Sequence, residues 1–204
     1  MDILDEETKT GNITEILERK NVLIRPAVAN IDQALIIFAA ARPTPNLNLL
    51  DRFLIMMEKC QVETIICFNK QDVVADQEIN TLKEIYKYSG YHTLFTSAGK
   101  EEGIEALKDM LEDRTTVLAG PSGVGKSTLV NLLAPQAHSK TGEISEKIQR
   151  GKHTTRHSEL ISIGGDGFVM DTPGFSSLYL LDIDKDELRD FFPEFREYAG
   201  ECRF

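Results

Sequence analysis

The sequence predicts an α/β domain with a mostly parallel sheet and helices on both faces. Short apolar runs of strand length alternate with longer segments of helical spacing along most of the 204 residues. Two of the runs, 33–40 (QALIIFAA) and 62–68 (VETIICF), each carry an unbroken apolar stretch after their polar residues, as strands covered on both sides do. A glycine-rich turn at 120–127 lies between a strand pattern and a helix pattern, where open α/β sheets place their ligands.

Element by element, 22–25 is a short strand closed by Pro26, and 33–40 is a buried strand. Leu47–Lys59 has helical spacing, with Leu50, Phe53, Leu54 and Met57 on one face. A strand over 62–68 is followed by a helix over 76–89, with Ile79, Leu82, Ile85 and Tyr86 inward and Gly90 as its stop. His92–Phe95 is a strand, 101–111 a helix, Thr115–Ala119 a strand and Lys126–Leu133 a helix. Segments 159–163 and 167–170 bracket a Gly-Gly-Asp-Gly turn as a hairpin, and 184–192 reads as helical. Residues 1–21 are acidic and polar and do not continue the βα rhythm.

Composition narrows the function classes. At 41% hydrophobic and 27% charged, the chain has the balance of a soluble globular protein, and a cytoplasmic address with no membrane association is expected. Its longest apolar stretch, Ala34 to Ala41, is too short for a membrane span. Cys60, Cys67 and Cys202 have no disulfide-framework spacing, and Cys67 sits in a core strand. A net charge of −10 argues against broad electrostatic clamping of nucleic acid.

The chemistry lies in four loops. Gly120-Pro121-Ser122-Gly123-Val124-Gly125-Lys126-Ser127 is GxxxxGK[ST] between a strand and a helix. Its backbone N–H groups, with those of Val124 and the following Thr128, are expected to cradle phosphate. Lys126 is placed for the β- and γ-phosphates and Ser127 for Mg²⁺. Asn69-Lys70-Gln71-Asp72 directly follows a buried strand. Asp72 can accept from guanine N1–H and its exocyclic amine, a donor pair adenine lacks, at about 1.5–3 kcal/mol per charge-assisted bond. Asn69 is expected to brace the loop and reach the base, and the Lys70 stem to cover a ring face. Ser97 and Ala98 follow the next strand, where a backbone N–H can meet guanine O6. Asp171-Thr172-Pro173-Gly174 ends a strand, with Asp171 placed to hold Mg²⁺ through water and the Gly174 N–H to touch the γ-phosphate.

These are guanine-nucleotide motifs in an unusual order: the base reader first and the phosphate loop third. The cycle of an ordinary GTPase has been cut between the DxxG strand and the NKxD strand, so a circularly permuted P-loop GTPase domain is predicted. Phe175 stands where many GTPases carry a water-orienting glutamine. Between the phosphate loop and Asp171, segment 147–157 carries four positive charges and no acid. Within it Thr154 or Thr155 can add a hydroxyl to Mg²⁺, and His153 and His157 are candidates to position water.

The permuted series, together with Arg25-Pro26, 28–33 (VANIDQ), 50–53 (LDRF), 151–157 (GKHTTRH) and 171–175 (DTPGF), resembles the RsgA/YjeQ family of small-ribosomal-subunit-dependent GTPases. The resemblance implies GTP, GDP and Mg²⁺ as ligands and His153 as the water-positioning histidine. It also implies slow hydrolysis that the small ribosomal subunit accelerates, and a monomer that meets the subunit and its rRNA mainly through flanking domains. In that plan residues 1–25 are what remains of an OB-fold and linker, 26–183 the GTPase domain, and 184–204 a linker helix and the start of a zinc domain. One cysteine, Cys202, cannot make a tetrahedral site, so zinc is not expected in this chain. Two other classes fit parts of the pattern. A metabolic phosphoryl-transfer enzyme would not need Asp72, and a non-catalytic GTP-gated module would tolerate Phe175.

Overall fold

Side chains along the central strands alternate between two cores. The computed structural model describes residues 2–5, 10–23, 26–135, 159–172 and 183–196. On strand β5 (Gln33–Ala39), Ala34, Ile36 and Phe38 enter one core and Leu35, Ile37 and Ala39 the other. All seven β5 residues are buried, which is why the run reads as continuously apolar. The order of elements before it is β1 (Asp2–Asp5), β2 (Thr10–Asn12), β3 (Val22–Leu23) and β4 (Val28–Ala29). After β5 come α1 (Leu47–Lys59), β6 (Glu63–Asn69), α2 (Asp76–Tyr86), β7 (His92–Phe95) and α3 (Ile104–Leu111). Then follow β8 (Thr115–Ala119), α4 (Lys126–Leu133), β9 (Glu159–Gly164) and β10 (Gly167–Asp171).

The main sheet has six strands in the order β7-β6-β5-β8-β10-β9, parallel except for the edge strand β9, which pairs antiparallel with β10. Helices α1 and α2 cover one face, with Leu50, Phe53, Met57, Leu82 and Tyr86 in the core. Helices α3 and α4 cover the other, through Leu107, Leu111, Leu129 and Leu133. Helix α1 starts where Asn46 Oδ1 accepts the Leu49 N–H at 3.1 Å, a side-chain cap for one of the free first-turn donors. Phe53 is fully buried and edge-on to Phe38, and its truncation to Ala costs about 3–5 kcal/mol on general grounds.

Four expectations need correction. Helix α2 ends at Tyr86 rather than 89, because Ser89 turns back and donates Oγ–H to the Tyr86 carbonyl at 2.7 Å. Ile85, expected inward, is 50% exposed; Leu82 and Tyr86 alone fill the narrow inward line of a helix covering the sheet's edge. Helix α3 begins at Ile104 rather than 101, since Ser97 and Glu102 exchange two backbone hydrogen bonds and Gly103 takes a positive φ of 73°. The helix expected over 184–192 is one 3₁₀ turn, Leu188–Phe191, followed by a second, Pro193–Phe195. Pro193 forces Phe192 into an extended conformation and so breaks the run. That segment lies against α1: Arg196 meets Glu58 at 2.5 Å, and Glu58 also accepts the Tyr91 hydroxyl at 3.2 Å.

Segments 2–5 and 10–12 form an antiparallel pair, and β3 and β4 form a second small ribbon. Ile13, Ile16 and Leu17 between them are largely exposed. Among the described residues, no helix is long and apolar enough to cross a membrane.

Candidate functional site

Parallel strands carry their following loops to one edge, and here that edge gathers the chemistry. β8, β5, β6, β7 and β10 all end there, at Ala119, Ala39, Asn69, Phe95 and Asp171. The phosphate-loop sequence leaves β8, the Asn69–Asp72 loop leaves β6, Thr96–Ala98 leaves β7, and Asp171 ends β10.

Asn69 joins three of these loops. It is 1% exposed, and its Oδ1 accepts from the Thr96 hydroxyl at 3.1 Å and from the Ala98 N–H at 3.0 Å. Its Nδ2 donates to the Val124 carbonyl at 2.9 Å. Both oxygen lone pairs are therefore used inside the protein, and a single Nδ2 hydrogen is left for anything else. The bracing role is in the geometry; the reach toward a base is confined to that hydrogen. Gly125 packs directly on this amide: a Cβ there would overlap Asn69 Nδ2, and its φ of +100° is one that L side chains rarely adopt. Gly120 is constrained likewise, at φ +145° against the Ile37 carbonyl.

Lys70 sits in the left-handed region at φ 66° and donates to two carbonyls, Gly123 and Arg42, each at 2.7 Å. It thus spans from the phosphate loop to the loop that follows β5. Asp72 is exposed, and its Oδ1 accepts the Ser97 hydroxyl at 2.6 Å. That bond first, with Lys100 and Lys70 helping, holds its carboxyl below the usual value and keeps it an acceptor. The Ser97 and Ala98 N–H groups, one of them expected to meet guanine O6, are both engaged within the protein. Ser97 donates to Glu102 O, because 97–102 folds back on itself as a tight turn, and Ala98 donates to Asn69 Oδ1 from the neighbouring loop.

Lys126, 9% exposed, donates to the Gly120 and Pro121 carbonyls, both at 2.8 Å. Burial lowers its pKa and the charge of Asp171 opposes that shift. The Asp171 carboxyl is raised, chiefly by burial and against the pull of Lys126; its Oδ1 is buried without a hydrogen-bond partner. An orphaned carboxylate oxygen within electrostatic reach of a phosphate-loop lysine fits the water shell of a hydrated divalent cation. No group of three or more His, Cys, Asp or Glu able to hold a metal occurs among the described residues, so a cation here would draw its remaining ligands from phosphate and water. Ser122, Gly123, Ser127 and Thr128 are exposed at the rim and Val124 is buried beneath it.

His153, Thr154, Thr155, His157, Gly174, Phe175 and Cys202 lie outside the described residues. Sequence reasoning missed Arg42, whose carbonyl anchors Lys70, and the Thr96 hydroxyl, which fixes Asn69. An available signal for Arg42 was its position just past the carboxyl end of a buried strand.

Comparison with known proteins agrees with this geometry. A family model described as RsgA GTPase matches residues 16–181. Small ribosomal subunit biogenesis GTPase RsgA of Agathobacter rectalis is 56% identical over 202 residues, spanning 99% of this chain and 67% of the relative. The protein of that name from Alkaliphilus metalliredigens is 48% identical, over 99% and 69%. Among solved structures, YjeQ from Thermotoga maritima superimposes with a TM-score of 0.78 at 35% identity, covering 98% of this chain and 67% of that one. YloQ, described as a circularly permuted GTPase, gives 0.72 at 40% identity, over 93% and 61%. Motif order, sheet topology and identity over nearly the whole sequence agree: the chain belongs to the RsgA GTPase family.

Proposed function

We propose that this chain hydrolyses GTP to GDP and phosphate as a nucleotide-switched maturation factor for the small ribosomal subunit. The observation that carries the reading is the Asn69 side chain, which ties the base-reading loop to both the phosphate loop and Thr96–Ala98. A metabolic phosphoryl-transfer enzyme has no use for that link.

In this reading Asp72, kept ionised by Ser97, accepts the two guanine N–H groups through its free lone pairs. Lys70, held at both ends of its reach, lays its stem along the ring. Phosphate displaces the Gly120 and Pro121 carbonyls from Lys126, whose ammonium then neutralises the β- and γ-phosphates. Backbone N–H groups of Gly123, Val124, Gly125, Lys126, Ser127 and Thr128 receive the phosphate oxygens at the head of α4, with Gly120 and Ser122 shaping the loop. Ser127 and Asp171, with Thr154 or Thr155, would hold Mg²⁺, which withdraws charge from the transferred phosphoryl group. His153, or His157, orients the attacking water in place of the absent glutamine, and Gly174 senses the γ-phosphate.

The same reading places 26–183 as the GTPase unit, with the segments on either side leading to neighbouring modules. It places the protein in the cytoplasm, acting as a monomer on the subunit and its rRNA. With a net charge of −10, contact with rRNA would fall to local basic segments such as 147–157.

The test is a base swap. Asp72→Asn is expected to lose GTP turnover by about 100-fold or more and to regain it on xanthosine triphosphate, whose edge suits an amide. Unchanged preference for GTP would reject base reading by Asp72. Lys126→Ala is expected to remove turnover altogether, and multiple-turnover hydrolysis surviving it would reject the site. Single-turnover decay of GTP, with and without small subunits, separates a switch enzyme from a passive GTP-gated module.

A further inference from the structure

Strand β10 is held to β8 by a ladder that stops one residue too soon. The last paired residues are Met170 and Val117, while Asp171 pairs only with Glu159 on the far side. The next rung is made by a side chain. Thr172, 1% exposed, donates its hydroxyl to the Leu118 carbonyl at 2.6 Å. Leu118 lies two residues before Gly120 and is fixed from its other flank by the register with Leu35 on β5.

Asp171 needs such a support. The residue is half-buried, with a buried Oδ1 that has no hydrogen-bond partner, and its carboxylate is favoured by the charge of Lys126 and by the adjacent Thr172 N–H. The Thr172 N–H belongs to the next residue of the same strand end, so it does not tie the carboxylate to the phosphate loop, and Oδ1 has no partner that could. Successive side chains of an extended strand point to opposite sides, so a grip by Thr172 leaves the Asp171 carboxylate free on the other side.

We propose that Thr172 is a positioning residue: its hydroxyl stitches the end of β10 to the phosphate-loop strand and so sets Asp171 for a divalent cation on bound nucleotide. This rests on the guanine-nucleotide reading above. Valine matches threonine in shape but removes the donor and leaves the Leu118 carbonyl short of a partner; serine keeps the donor.

The experiment measures affinity of the 204-residue chain for a fluorescent GDP analogue in Mg²⁺ and in EDTA, and takes the ratio of the two Kd values. Thr172→Val is expected to lower the Mg²⁺ advantage about 10-fold or more, in line with other changes to groups that orient metal ligands. Its Kd in EDTA should stay close to that of the unmodified chain. Thr172→Ser is expected to restore the advantage, and Thr172→Ala, with less bulk at the site, to repeat the valine result. The unmodified ratio in both valine and alanine variants would overturn the inference. So would equal losses in Mg²⁺ and EDTA, which mark a purely structural role, or a serine variant as poor as valine. An unmodified chain with no preference for guanine over adenine nucleotide would instead overturn the functional reading, so the two failures are distinguishable.

Discussion

The two ends of the central sheet treat their polar groups in opposite ways. At the amino end of the strands, Gln33 is 1% exposed and closed on every side. Its Nε2 donates to Met110 O at 2.8 Å and to Thr116 Oγ1 at 2.9 Å, while its Oε1 accepts from Arg114, which also pairs with Glu63. Nearby, Asp32 accepts from the Thr115 N–H at 2.8 Å and from Lys20 at 2.6 Å, and Asn21 exchanges two bonds with Ile31. At the carboxyl end, Asp171 Oδ1 has no partner, Lys126 rests on its own loop's carbonyls, and Asp72 is exposed with one oxygen committed. A buried polar group without a partner costs about 1–3 kcal/mol. A sheet that satisfies one end fully and leaves the other open is stabilised at the first and holds its binding capacity at the second.

The comparison is broken most severely at Gly125. Gly125→Ala would force a Cβ into the Asn69 amide and disconnect the phosphate loop from the base-reading loop. Guanine-nucleotide affinity should fall by about 100-fold or more, while the unfolding free energy read from urea falls by about 1–3 kcal/mol, the cost of local strain. Equilibrium binding and urea unfolding on the same sample check both.

Gln33→Leu should cost stability and spare nucleotide affinity. It leaves Thr116 and Met110 without the Gln33 donor and Arg114 without one acceptor, at about 1–3 kcal/mol of stability, with nucleotide affinity within about twofold of the original. A drop in affinity comparable to that of Gly125→Ala would mean the two ends are not separable.

The smallest effect is at Asp32, and its pH dependence carries the sign. Lys20 and the Thr115 N–H hold its carboxyl below the ordinary value of 3.8. The folded state therefore binds this proton less readily than the unfolded one. The contribution is present above 3.8 and is lost as pH falls through the lower folded value. Because the pair is substantially exposed, Asp32→Asn should cost under about 1 kcal/mol at neutral pH, and its difference from the original should vanish in acid. Asp171 has the opposite sign. Burial raises its carboxyl, so ionisation opposes folding as pH rises, as expected where an acceptor is kept for a ligand.

Much of this was legible in the chain. The 33–40 and 62–68 runs announced doubly covered strands, and β5 and β6 are buried along nearly their whole length. The strand into Gly120 and the helix out of it fell at Thr115–Ala119 and Lys126–Leu133 as read. Local signals failed where a neighbour decided the outcome. Helical spacing over 184–192 ignored Pro193, and the inward face of α2 depended on how little sheet lies beneath it.

The sequence by itself determined the order of the motifs, the alternation of strands and helices, and the identity of Lys126, Asp72 and Asp171, because covalent order and side-chain chemistry are local properties. Only the tertiary structure decided which of those groups have spare hydrogen-bonding capacity. Asn69, read as a bracing residue that also reaches the base, proves nearly filled by protein partners, and Asp171 proves open. Thr172 became informative only when its hydroxyl was found on Leu118, 54 residues away in the chain. Hydrogen bonds between strands that are distant in sequence depend on how the sheet is ordered, and that order is a property of the folded whole.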